Sequence, residues 1–177
     1  MTQTCTAFLG TTRVGRGTPA ELIAALPGQE QGVLVFDDAT GRPVDLDWRG
    51  IVTPSEETEA PRRRGRPKLG VTAREVTLLP RQWDWLAQQP GGASQALRRL
   101  VDEARKADGG RTAKRTAHER AYRVLSALGG DLPGFEEASR LLFADDRKAF
   151  AAAMATWPQD LSAYVLELVE VREEELP

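Results

Sequence analysis

The chain has 177 residues, 41% of them hydrophobic, which suits one mid-sized domain or two to three small ones. No apolar run reaches the ~18–20 residues of a membrane span, no secretory signal is expected from the start Met1-Thr2-Gln3-Thr4, and the lone Cys5 excludes an internal disulfide, so the reading is cytoplasmic. Net charge is only −2, but residues 1–61 carry −5, residues 62–115 carry +9 (14 basic, 5 acidic) and residues 116–177 carry −6.

The predicted fold class is α+β: a small N-terminal ββαββ unit, a basic linker, a strand–helix–helix segment and a C-terminal helical bundle. In residues 1–50, Thr4 to Leu9 and Arg13 to Val14 read as a hairpin around Gly10. Thr18-Pro19-Ala20-Glu21 is a capping box with proline at the first helical position, followed by Leu22, Ile23 and Leu26. Gly32 to Phe36 is a short apolar strand, and Asp37 to Gly41 is turn chemistry. Val44, Leu46 and Trp48 alternate with Asp45 and Asp47, as in a half-buried strand.

Residues 51–70 read as a linker that switches from acidic to basic. In residues 71–107, Arg74 to Leu78 alternates like a strand. Pro80 opens a helix through Gln89 with Trp83 and Leu86 on one face, and Ser94 is placed to cap a second helix carrying Leu97, Leu100, Val101 and Ala104. Residues 116–171 read as four short helices. They are marked by Ala121 to Leu128, by Phe135 to Leu142, by Phe150, Met154 and Trp157, and by Leu161 to Val169.

Two motifs could carry chemistry. Strand–helix–helix is the build of a ribbon–helix–helix half, whose strand pairs with a second copy and enters the major groove. This requires a homodimer. Val76 and Leu78 would face the core, Glu75 and Thr77 the groove, with Arg74, Ser94, Arg98 and Arg99 positioning the module. Trp83 is expected in the core and Trp85 at an interface. The second motif, Arg62, Arg63, Arg64, Gly65, Arg66, Pro67 and Lys68, resembles an AT-hook. Extended Arg-Gly-Arg-Pro is narrow enough for the minor groove, where its arginines meet the enhanced negative potential of A·T tracts. The competing readings are a small packing unit and a basic linker, both merely solvated.

Asp37, Asp38, Asp45 and Asp47 are oxygen ligands in type, but their spacing is not an EF-hand loop, and turn and strand face account for them. One histidine, His118, and one cysteine allow neither a Cys/His metal cluster nor a convincing Ser-His-Asp triad. No cofactor and no catalytic residue is expected.

Several runs together carry a family resemblance: Phe36 to Arg42, Arg64 to Leu86, Pro90 to Arg105, Leu132 to Glu137, and Trp157-Pro158. The chain resembles the bacterial family DUF2239 over nearly its whole length. That resemblance implies bacterial origin and a recurring architecture, and no mechanism. The middle segment separately resembles ribbon–helix–helix proteins, departing from them at Glu75, Trp83 and Trp85. The expected function is a homodimeric DNA-binding regulator or architectural protein with A·T-rich DNA as partner. The acidic ends would bind another protein or limit non-specific sticking. The alternative is a protein-interaction module, antitoxin-like or adaptor, without DNA readout.

Overall fold

A computed structural model describes residues 3–28, 31–48, 72 and 74–171. They fall into two compact units. The larger joins 3–48 to 108–171, and the smaller holds the described residues of 72–107. The N-terminal stretch and the C-terminal helices, read separately in the sequence, therefore pack as one body.

The larger unit opens with the hairpin β1 (Cys5–Leu9) and β2 (Thr12–Gly17), then α1 (Pro19–Ala25) and β3 (Val33–Asp37). The sheet is antiparallel with order β2-β1-β3. Central β1 is buried on both faces, which explains its near-continuous apolar run. Cys5 and Ala7 pack with Leu22, Leu26, Val35 and Leu46 on the α1 side, while Phe8 and Phe36 join the core of the helical side. The Thr18–Glu21 capping box forms as expected.

The fourth strand expected at 44–48 is replaced by a single bridge, Phe36 to Pro43, with Val44 N–H donating to the Val35 carbonyl at 2.7 Å. Proline has no N–H to extend a ladder. The alternation of burial survives: Leu46 is buried, Val44 and Trp48 are half-buried, and Asp45 and Asp47 are exposed. Gly41, at φ 65°, lies where a Cβ would overlap the backbone carbonyl of Arg120. Only glycine meets both demands.

The helical side comprises α4 (Arg111–Gly129), α5 (Phe135–Phe143), α6 (Arg147–Ala153) and α7 (Gln159–Val169). Helix α4 starts earlier than residue 116. The Asp108 carboxylate accepts from Thr112 N–H (2.9 Å) and Thr112 Oγ1 (3.0 Å). Its pKa is held below the ordinary value, chiefly by that backbone bond. Helix α6 ends at Ala153, so Trp157 lies in the following turn, where Nε1 donates to the Pro133 carbonyl at 2.8 Å.

A polar seam locks sheet to helices. Asp38, 2% exposed, accepts from Thr6 Oγ1 (2.7 Å), Tyr164 Oη (2.8 Å) and Arg16 Nε (2.9 Å). Arg16 also pairs with Glu167 at 2.6 Å. Arg120 is fully buried, and its guanidinium donates to the carbonyls of Leu168 (2.6 Å) and Glu170 (2.5 Å). Those oxygens sit at the negative end of α7, where backbone acceptors lack helical partners. Asp37 serves its turn, accepting from Ala39 N–H, Thr40 N–H and Thr40 Oγ1. Burial pushes its pKa up, but the bonds from Gln3, Thr40 and Ala39 outweigh this and hold it below the ordinary value.

Candidate nucleic-acid interface

The smaller unit is built from an extended stretch, 74–79, followed by α2 (Pro80–Ala87) and α3 (Gly92–Asp108), whose last residue passes to the larger unit. Pro80 supplies a pre-set φ at the first helical position, and the Gln82 side chain reaches back to accept from Leu79 N–H at 2.8 Å. Gly91 and Gly92, at φ 80° and 75°, make the turn between the helices.

Residues 74–79, expected to begin with a strand, pair with no strand among the described residues. The strand of a ribbon–helix–helix unit finds its partner in a second chain, so a single copy leaves the stretch unpaired. Helix α3 begins at Gly92, which puts Ser94 in its first turn rather than before it. The buried apolar set of this unit is small: Leu86 and Ala96. Trp83, expected in the core, is 41% exposed, and Trp85 is 48% exposed. Two helices and an extended stretch offer too little covering surface to bury two tryptophans.

The candidate residues fall in two groups. Arg62, Arg63, Arg64, Gly65, Arg66, Pro67 and Lys68 lie outside the described residues. Arg74, Thr77, Ser94, Arg98 and Arg99 are all exposed, as are Arg81, Arg105 and Lys106. Arg99 approaches Glu103 one turn along α3 at 3.8 Å, a loose surface pair of little energetic weight. The cations of α3 therefore remain available to an outside anion.

The unit also carries a groove that sequence reasoning did not assemble. It has a volume of about 430 Å³ and is lined by Leu78, Arg81, Trp85, Leu86, Leu97 and Leu100, with Gln82 at its edge. The signal was present: 78, 82, 85 and 86 follow helical spacing. It was obscured because 74–78 read as a strand, which broke the period at Leu78.

Comparison with protein-family models gives a match to "Uncharacterized protein conserved in bacteria (DUF2239)" over residues 4–169. The chain belongs to DUF2239. No curated protein and no solved structure matches it. The family match spans both units, so the basic middle of this DUF2239 chain lies inside the family's own extent. Among the described residues no helix is long and apolar enough to cross a membrane.

Proposed function

We propose that this protein binds DNA as a homodimer, acting as a regulator or an architectural protein. The observation that carries the reading is the segregation of charge: +9 over residues 62–115 between segments of −5 and −6, with the cations of α3 exposed. Such a stripe is the electrostatic footprint of phosphate binding. Arg64-Gly65-Arg66-Pro67, flanked by Arg62, Arg63 and Lys68, would act as the minor-groove arm. Arg74, Arg98 and Arg99 would set the folded module against phosphates, with Thr77 and Ser94 as polar contacts. Thr77 suits a base edge better than Glu75, which accepts but cannot donate. Positioning on the backbone thus outweighs base reading in this scheme.

The test is a titration against A·T-rich and G·C-rich duplexes at several salt concentrations. Micromolar or tighter binding with a steep salt slope is expected. Absence of binding at low salt would sink the reading. Changing Arg64 and Arg66 to alanine should abolish any A·T preference while leaving the fold intact.

A second reading is a protein-interaction module. It is favoured by one specific observation, the exposure of Trp83 and Trp85, since large aromatics concentrate energy at protein interfaces.

A further inference from the structure

The smaller unit leaves Val76, Leu79, Trp83, Trp85, Leu100 and Val101 between 38% and 55% exposed. Their density around one groove is the signature of an interface rather than of scattered surface residues. What should cover it is written into α3. At about 100° per residue, Leu97, Leu100, Val101 and Ala104 fall on one face. Arg98 and Asp102 flank that face on one side, Arg99 and Glu103 on the other.

We propose that a second copy of the chain docks here, with the two α3 helices antiparallel about a two-fold axis between Leu100 and Val101. The axis lies between the helices and perpendicular to both, so it reverses direction but keeps each flank on its own side. Leu100 then meets Val101 of the second copy, and Leu97 meets its Ala104. On one flank Arg98 faces Asp102 of the second copy, and on the other Arg99 faces its Glu103. The run Leu97-Arg98-Arg99-Leu100-Val101-Asp102-Glu103-Ala104 is thus complementary to its own reverse. Self-complementarity is what a closed two-fold contact requires. An unrelated partner would have no reason to match the reversed order of apolar, basic and acidic positions. Trp85 and Leu86, lining the same groove, provide the aromatic and aliphatic rim that excludes water from the pairs.

This inference deepens the DNA-binding reading, which rests on a paired chain, and it is testable without DNA. The full chain should sediment as a dimer. Val101→Glu should raise the dimer dissociation constant at least ~tenfold, because it buries a charge without a partner. Its circular dichroism should stay unchanged, since unit folding does not use that side chain.

Charge reversal is the sharper arm. A variant carrying Arg98→Glu and Arg99→Glu presents only acidic flanks, and one carrying Asp102→Arg and Glu103→Arg only basic ones. Each should be monomeric alone, and an equimolar mixture should form a one-to-one heterodimer. A monomeric natural chain overturns the proposal, and so do two reversed variants that remain dimeric or fail to combine. Duplex titration separates the two claims. A monomer that still binds DNA removes this inference alone, and a dimer that ignores DNA removes only the functional reading.

Discussion

Tyr164 donates its phenolic hydrogen to Asp38 at 2.8 Å, across 126 residues of sequence, at the seam between sheet and helices. Burial first, and then the Asp38 charge, push the phenol pKa well above its ordinary value, so it stays a donor at any working pH. Tyr164→Phe should cost about 1.5–3 kcal/mol, the range for a bond to a charged group. Asp38→Ala should cost more, because it strands Thr6, Tyr164 and Arg16 together. Urea unfolding of the two single variants and the double variant gives the coupling, expected to exceed ~0.5 kcal/mol. Additive losses would show that the bond contributes nothing of its own.

Arg120 is a second buried anchor. Replacing it with methionine keeps much of the volume but leaves the Leu168 and Glu170 carbonyls short of a donor. The expected loss is about 3 kcal/mol. Arg120→Lys should recover little of it, since one ammonium cannot reproduce the planar fork that reaches both oxygens. Thermal unfolding of the three proteins decides this. A lysine variant as stable as the natural chain would mean that charge, and not fork geometry, is what α7 requires.

Cys5 offers a chemical probe of the same unit. Burial, assisted by Asp37 and Asp38, pushes its thiol up to about 11. Only the thiolate reacts readily with disulfide reagents. Labelling at pH 8 should therefore be slow in the native protein and fast in denaturant. Its native rate should rise in step with destabilising changes such as Tyr164→Phe. Rapid native labelling would place Cys5 outside the sheet core.

The N-terminal half was legible because its signals are local. The Thr18–Glu21 capping box, the Gly10 turn and the alternation at Val44, Leu46 and Trp48 each lie within a few residues. The strand at 44–48 failed through Pro43 alone, as the burial pattern was right. The partnership of Asp38 with Thr6 and Tyr164 was invisible, because an aspartate in a turn reads the same whether it faces water or a distant helix. Arg120 hid for a related reason: an arginine in a basic, amphipathic helix reads as surface. The smaller unit was misjudged at Trp83, which sequence pattern assigns to a core that two helices in one chain do not enclose. That failure is itself informative, because the apolar pattern of α2 and α3 asks for more covering than the unit supplies.

The turn between α5 and α6 should respond to acid. Asp145 adopts φ 57°, an uncommon conformation for a residue with a side chain. Its carboxylate is held by Lys114 at 2.8 Å and approached by His118 at 3.4 Å. The Lys114 hydrogen bond, then charge from Lys114 and His118, outweigh desolvation and lower the Asp145 pKa from its ordinary 3.8. A depressed carboxyl contributes stability that is complete above the ordinary carboxylate range and lost as pH falls through the lowered value. Asp145→Asn removes the charge while keeping a residue that tolerates positive φ. The natural chain should therefore unfold at a higher temperature than this variant near neutrality, with a modest gap because the pair is solvent-screened. The gap should narrow as pH drops below the ordinary aspartate range and vanish once Asp145 is protonated. A gap that stays constant from neutrality into acid would show that the variant acts through the backbone turn and not through the ion pair.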